Sequence, residues 1–448
     1  MESSSTNLVW KITIIKTLAL SQIKFCLMNL PTPQWFITQV QNEINKFLWS
    51  NKPPKIKYKT IISDYCNGGL KLTDLDSFVK AQKAVWVKRL LDKELPNFYF
   101  LKQYLPDMNF SDLIKCSIHP DDLSHDIPLF YRQVLHAWFD FRMIYLSKSH
   151  NVQGEVLWFN KDIQINNDYI MYKEWYQKGI FYVKDLIANE RLLTFEEFTN
   201  KYDIACINLT YLGLIHAIPM QWRQQLLTLG HSQPKTLLNH TTEINSSQIY
   251  WTLIKKIQEQ PTCIKSWNVN YDVKFSHKQW QVIFTLPSIL TQHMKLREFQ
   301  LKIIHKIYAT DSYVSNFDGS VSQMCEKCQK KNNLFHWFAE CALLKQFWVR
   351  FSEWIHETFT VKIDLSREIV IFGYLENNEF EINYCILQVK WFIHKSWKLY
   401  NNMNKTHFSF ETFLERLKYA IAIEQQIAER NNSIMCFNEH FSTLKTML

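Results

Sequence analysis

Apolar residues recur along much of this chain at the spacing of an α-helix. Between residues 10 and 28 the stripe runs through Trp10, Ile14 and Leu18, and the lysines lie off it. Residues 35–49 carry a second stripe after the prolines of residues 31–33, which end the first helix. Further helical stripes follow in residues 387–400 and 413–427, so the sequence predicts a mainly α fold.

The clearest amphipathic pattern covers residues 295–308. Its apolar positions repeat at helical spacing and predict a face that packs on a core: Leu296, Phe299, Ile303 and Ile307. Its lysines lie along another edge: Lys295, Lys302 and Lys306. That edge predicts either a row of phosphate contacts or an ordinary solvated face.

Composition restricts the class of protein further. The 448 residues are 47% hydrophobic, 15% aromatic and 21% charged, a globular composition that disfavours disorder. Only eight glycines are present, which disfavours glycine-rich phosphate loops and turn-dense β folds. This length predicts two to four domains, and the net charge of +9 is compatible with a polyanionic partner without establishing one.

The cysteines and the apolar runs bear on where the protein acts. Ten cysteines are scattered from Cys26 to Cys436, mostly singly, which is typical of a reduced, intracellular protein. Residues 1–7 carry Glu2 and a serine run, and we expect no secretory signal there. Lysines interrupt the apolar stretch of residues 8–30, so we expect no membrane span and no membrane partner.

One short segment carries the spacing of a metal site. Two residues separate Cys325 from Cys328, seven separate Cys328 from His336, and four separate His336 from Cys341. Three thiolates and one imidazole at this spacing predict a structural Zn²⁺ with no open position for water. The alternatives are a buried cysteine cluster or a redox pair, and the latter would need a βαβ context.

Two other segments have competing interpretations. Lys52, Lys55, Lys57 and Lys59 belong to a proline-stiffened segment predicted to be extended, which would suit phosphate contacts or form a solvated loop. Asp121 and Asp122 follow Pro120, so a helix start is favoured over a polymerase carboxylate pair. Thr194 and Glu197 have the spacing of a capping box.

A family resemblance follows from the order of several weak motifs. In the first hundred residues they are KITIIK (11–16), LPTP (30–33), INKFLW (44–49), KIKYK (55–59), GGL (68–70) and KAQKAVW (80–86). Between residues 157 and 222 they are LWFN, WYQKGI, VKDL, LTFEEF and AIPMQW. This order, completed by the cysteine cluster, resembles the second-open-reading-frame protein of LINE-type non-LTR retrotransposons, a reverse transcriptase and endonuclease.

The resemblance implies an organisation and a function. It implies a thumb-like helical domain in residues 1–100, a helical linker region in 101–240, and a C-terminal helical domain in 241–448 with a CCHC zinc segment at 325–341. A polar stretch near residues 228–247 predicts a domain joint. The family's endonuclease and catalytic palm would lie upstream and are not in this sequence, so the chain resembles a truncated element copy or a captured host gene without catalysis.

The sequence therefore predicts binding of RNA or single-stranded nucleic acid with little sequence preference. The lysines named above would neutralise phosphates, and Trp337 and Trp348 would stack on bases, unless both tryptophans belong to the core. A protein-interaction module is the alternative, with some of the sixteen tryptophans as anchors. An enzyme ranks last because no G-x-S-x-G, P-loop or H-E-x-x-H motif occurs, and no small-molecule substrate is expected.

Overall fold

The structure is a computed structural model of the chain. It describes residues 7–92, 96–146, 152–188, 191–226, 244–376, 379–403 and 408–447. Most of the joint predicted near residues 228–247 lies outside the described residues.

The protein is mainly helical, as predicted, with 65% helix and 3% strand. The first helices are α1 Leu8–Ile14, α2 Leu20–Asn29, α3 Gln34–Trp49, α4 Tyr58–Ile61, α5 Leu75–Leu91, α6 Pro96–Lys102, α7 Phe110–Leu113, α8 Leu129–Leu146, α9 Lys173–Gln177, α10 Phe195–Tyr202, α11 Asn208–Ala217 and α12 Met220–Leu226. The later ones are α13 Ser246–Ile257, α14 Thr262–Tyr271, α15 His277–Leu290, α16 Met294–Ile304, α17 Asp311–Val314, α18 Lys345–Phe359, α19 Arg367–Phe372, α20 Phe380–Met403, α21 Phe410–Arg430 and α22 Ile434–His440. No helix in these described ranges is long and apolar enough to cross a lipid bilayer.

Strands are short and form two antiparallel hairpins. β1 Gln164–Ile165 pairs with β2 Asp168–Tyr169, and β3 Ile187–Ala188 pairs with β4 Arg191–Leu192. Asn166 and Asn167 join β1 to β2 with positive φ angles of 53° and 65°. A two-residue turn of this kind suits the twist of a hairpin, and asparagine tolerates the left-handed conformation it requires.

The chain folds into two compact units. Unit 1 contains Met1–Ala19, Asn42–Thr73 and Gln258–Leu448, and unit 2 contains Leu20–Gln41 and Asp74–Ile257. The predicted first domain, residues 1–100, contributes to both units. The proposed domain boundaries at residues 100 and 240 therefore stay predictions from sequence.

Each unit has its own aromatic core. In unit 1, Trp267, Phe338 and Phe351 are fully buried, and the Trp267 indole N–H donates to the Ile304 carbonyl at 2.7 Å. In unit 2, α5 packs along α8, and Trp158 and Phe198 are fully buried. Side chains of this size provide most of the buried apolar surface that stabilises a helical fold.

Two helix ends bear directly on the predictions. The capping box at α10 is confirmed, because the Glu197 N–H donates to Thr194 Oγ1 at 3.2 Å and the Thr194 N–H donates to Glu197 Oε2 at 2.8 Å. The helix predicted for residues 295–308 is shorter than expected, since α16 ends at Ile304. Lys306 adopts φ 57°, and the Ile307 N–H donates to the Lys302 carbonyl at 2.9 Å. This is the Schellman end of a helix, which redirects the chain after one left-handed residue.

Candidate metal centre and nucleic-acid interface

A hairpin turn places the first two cysteines of the candidate metal centre. Met324 and Lys331 form an antiparallel bridge, the Cys325 N–H donates to the Lys330 carbonyl at 2.8 Å, and the Gln329 N–H donates to the Cys325 carbonyl at 2.9 Å. Gln329 has φ 55°, which closes the turn. This backbone points the thiols of Cys325 and Cys328 to the same side.

A π-turn places the other two ligands. It covers His336–Glu340, and its i to i−5 hydrogen bond joins the Cys341 N–H to the His336 carbonyl at 3.1 Å. That closure explains how a histidine and a cysteine five positions apart reach one point. The ligand atoms of Cys325, Cys328, His336 and Cys341 all lie within 4.8 Å of one another, close enough to hold a metal ion.

Polar satisfaction at this cluster also fits a cation. His336 is buried, and both of its ring nitrogens lack a hydrogen-bond partner among the described residues. An unsatisfied buried polar group costs about 1–3 kcal/mol, and a metal ion bound to one nitrogen would remove part of that cost. Cys328 Sγ lies 3.5 Å from Cys341 Sγ and accepts the Ala342 N–H at 3.3 Å, as a metal-bound thiolate often does.

The thiols differ in their readiness to ionise. Burial raises the pKa of Cys328, but the Ala342 N–H, the two other thiols and the Lys330 ammonium outweigh it, so its pKa lies below the ordinary value. Burial, with smaller effects from the neighbouring thiols, raises the pKa of Cys341 to about 12. Burial also lowers the pKa of His336, which favours the neutral imidazole that binds metals. All ten cysteines are free, and the hairpin around Cys325 and Cys328 is not the βαβ unit that a redox pair would need.

The lysines of residues 52–59 belong to unit 1 and are all exposed. Lys57 Nζ and Lys59 Nζ lie 3.7 and 2.7 Å from the Glu259 carboxylate, whereas Lys52 and Lys55 have no ion-pair partner among the described residues. The prediction of an extended segment through Lys59 is corrected, because α4 begins at Tyr58. Lys52 and Lys55 are therefore the more available charges of this segment.

The predicted lysine edge of residues 295–306 is broken by the early end of α16. Lys295 is exposed, and Lys302 Nζ lies 2.7 Å from the Glu298 carboxylate. Lys306 turns away: its Nζ donates to Ser266 Oγ at 2.7 Å and lies 4.6 Å from the ring centre of Tyr271. Burial lowers the pKa of Lys306 to about 8. The prediction of a continuous lysine edge that includes Lys306 is therefore wrong, because the Schellman turn takes that residue off the helix face.

The two candidate stacking tryptophans have different surroundings. Trp348 is buried, and its indole N–H donates to the Phe338 carbonyl at 3.0 Å, so its position matches the core alternative. Trp337 is half-buried, with its ring 5.6 Å from that of Trp397. Of these two tryptophans, Trp337 is the one that keeps a partly open ring.

Three exposed residues that were not predicted as contacts lie on or next to the metal hairpin. Lys330 and Lys331 are exposed on it, and Phe317 is 76% exposed with its ring 5.3 Å from Tyr313. The Ser312 N–H donates to the Asn332 carbonyl at 3.3 Å, which joins the α17 region that ends near Phe317 to the hairpin. The adjacent lysines of the Cys-x-x-Cys-x-Lys-Lys string were the available signal for two of these residues.

The Asp121 and Asp122 pair lies in a helix start, as predicted. Pro120–Asp122 form a 3₁₀ turn with His119 as its N-cap and Pro120 at the first position. Pro120 is favoured there because its fixed φ suits a helical turn and its missing N–H is not needed.

No protein-family model matches the chain, and the search of curated proteins finds no significant relative.

Proposed function

We propose that this chain is a non-catalytic protein that binds RNA or single-stranded nucleic acid and carries a structural Zn²⁺ on Cys325, Cys328, His336 and Cys341. The observation that carries the proposal is the basic hairpin, since the exposed Lys330 and Lys331 lie on the same turn as a complete set of metal ligands. Three sulfur donors and one imidazole nitrogen suit Zn²⁺ better than Mg²⁺ or Ca²⁺, which prefer oxygen.

In this proposal the metal holds the hairpin rigid, and the hairpin presents the ammonium groups of Lys330 and Lys331 to the phosphates of the nucleic acid. Lys330 and Lys331, with Lys52, Lys55 and Lys295, would release counterions on binding. Phe317 and the open part of Trp337 would stack on bases, which tolerates any sequence and contributes roughly 1–3 kcal/mol per base. The chain would act inside the cell, consistent with its ten free cysteines.

The origin of the chain belongs to the same proposal. The order of motifs, from KITIIK to the cysteine cluster, supports descent from the C-terminal part of a LINE-type reverse transcriptase protein, as a truncated copy or a captured gene. The lack of an identified polymerase carboxylate set supports a binding role without catalysis.

The test is the salt dependence of binding to a labelled, unstructured single-stranded RNA. We expect a linear fall of log affinity with log salt, and a slope smaller by about 1.4 in Lys330→Ala/Lys331→Ala, at roughly 0.7 per lost phosphate contact. The matched control is Lys362→Ala/Lys418→Ala, which removes two exposed charges elsewhere in unit 1. No binding at low salt, or equal slopes for the two double variants, would refute the proposal.

A protein-interaction module is the second candidate. In the 20–41 segment of unit 2, Phe25, Leu30 and Trp35 are 74%, 54% and 66% exposed. Large apolar side chains in such positions are typical of protein contacts. RNA binding that is absent in the wild type, together with loss of self-association or partner capture in Phe25→Ser/Trp35→Ser, would favour this candidate.

A further inference from the structure

A second group of metal-ligating side chains lies in unit 2. His119, Asp121 and His136 each present one ligand atom, and these atoms lie within 4.8 Å of one another. His136 Nε2 is 2.8 Å from Asp121 Oδ1, and His119 Nδ1 is 3.4 Å from Asp121 Oδ2. The three side chains are partly open, with exposed fractions of 43% for His119, 61% for Asp121 and 33% for His136.

The local fold holds the two histidines side by side. Ile118 is buried and anchors the start of the turn, and Pro120 fixes its first position. The His119 ring packs edge-on against Phe139 at 5.0 Å and against His136 at 5.2 Å. Phe139 lies three positions after His136 on α8, so one face of that helix orients both imidazoles.

The neighbouring residues Asp121 and Asp122 make different contacts. The Tyr169 hydroxyl donates to Asp122 Oδ2 at 3.0 Å, which ties Asp122 to strand β2 and leaves Asp121 on the side of the histidines. The Asp121 N–H donates to His119 Nδ1 at 3.3 Å, and an oxygen of the Asp121 carboxylate lies 3.4 Å from the same nitrogen. A metal ion bound at Nδ1 would take over the single lone pair that accepts this N–H, and its positive charge would lie beside the carboxylate.

We propose that His119, Asp121 and His136 bind one divalent transition-metal ion of the Zn²⁺ class, with an open position for water or another ligand. Two imidazoles and one carboxylate match Zn²⁺, Co²⁺, Ni²⁺ and Cu²⁺, whereas Mg²⁺ and Ca²⁺ select oxygen ligands. Three protein ligands leave a coordination position vacant, unlike the four-ligand cluster of unit 1. This proposal depends neither on nucleic-acid binding nor on metal binding by Cys325, Cys328, His336 and Cys341, the group called below the Cys328 cluster.

The experiment is zinc stoichiometry of the purified full chain at neutral pH, measured by elemental analysis after equilibration with a small excess of free Zn²⁺. We expect two equivalents in the wild type, one in His136→Gln, and two in the matched control His125→Gln, whose histidine is exposed and outside the group. Cys328→Ala should keep the equivalent that His136→Gln loses. One equivalent in the wild type with none lost in His136→Gln, or two in His136→Gln, would overturn the proposal.

Absorption spectra of the Co²⁺-loaded protein distinguish the two sites without relying on metal content alone. Co²⁺ bound to the Cys328 cluster should give sulfur-to-metal charge-transfer bands, and Co²⁺ at the His119 group should give visible bands without them. If His136→Gln unfolds, Asp121→Asn takes its place, because it keeps the side-chain volume at a 61% exposed position. If the visible Co²⁺ bands without charge-transfer character are unchanged in a folded His136→Gln or Asp121→Asn variant, the metal site at His119, Asp121 and His136 is contradicted.

Discussion

Acid should destabilise unit 1 through His305, a buried imidazole that joins two of its segments. His305 Nε2 donates to the Gly68 carbonyl at 3.0 Å, and its ring lies 5.7 Å from that of Phe284. Burial lowers the pKa of His305 from 6.5 to about 4, although the hydrogen bond to Gly68 acts in the opposite direction. The folded protein therefore keeps this imidazole neutral under conditions in which the unfolded chain protonates it.

The size of the effect follows from these two pKa values. Between pH 6.5 and pH 4 the unfolded state binds more protons than the folded state, so the free energy of unfolding falls as the pH falls. A difference of about 2.5 pKa units corresponds to a loss of about 3 kcal/mol between pH 7 and pH 4. Lys306 does not affect this window, because its lowered pKa of about 8 acts in the alkaline range.

The assay is urea unfolding at pH 7, 5.5 and 4 for the wild type and His305→Gln. Glutamine can donate to the Gly68 carbonyl without titrating, and the other acid-sensitive groups, such as Glu424 and His336, are common to both proteins and cancel in the difference. We expect the wild type to lose about 3 kcal/mol more than His305→Gln from pH 7 to pH 4. Equal losses in both proteins would refute the assignment of a neutral, buried His305.

Four further predictions concern the sites and the turn next to them. Cys328→Ala should lower zinc by one equivalent and expose the hairpin to protease; equal zinc in variant and wild type would rule out the centre. Changing all four lysines of residues 52–59 to alanine should reduce the salt slope of RNA binding by about 1.4, at roughly 0.7 for each of Lys52 and Lys55, because Lys57 and Lys59 already pair with Glu259; an unchanged slope would exclude that segment. Primer extension should give no product from the wild type, and activity abolished by Asp121→Asn with Asp122→Asn would mean that the pair is catalytic. Gly69→Ala should destabilise the protein by about 3 kcal/mol or more in urea unfolding, because its Cβ would lie 2.0 Å from the Ser63 carbonyl oxygen, and a change below about 1 kcal/mol would contradict this.

Features that depend on near neighbours in sequence were predictable. The helical stripes, the Thr194 capping box and the convergence of the Cys325 to Cys341 ligands all follow from spacing within some twenty residues. The helix start at Pro120 was predictable for the same reason. Short-range geometry leaves few alternatives for such segments.

Features that depend on the ends of elements or on distant packing were not predictable. Lys306 fits the periodicity of α16, but a single left-handed residue removes it from the helix face, and no glycine marks the turn. Trp348 is compatible in sequence with a stacking role and with a core position, and it lies in the core because α18 presents that face inward. The pairing of His119 with His136 needs α8 to pack against the turn at residue 120, which periodicity alone does not specify.

The segments of the two units alternate along the sequence, and this order affects synthesis on the ribosome. Every residue of unit 2 has been made once Ile257 is added, whereas unit 1 needs Met1–Ala19 and Asn42–Thr73 to wait for Gln258–Leu448. At roughly 5–20 residues per second, synthesis of the 191 residues from Gln258 to Leu448 takes on the order of 10 to 40 seconds. During that interval the early segments of unit 1, with apolar residues such as Ile61 and Ile62, lack their final partners. Chaperone dependence during translation should therefore be concentrated in the two early segments of unit 1, residues 1–19 and 42–73.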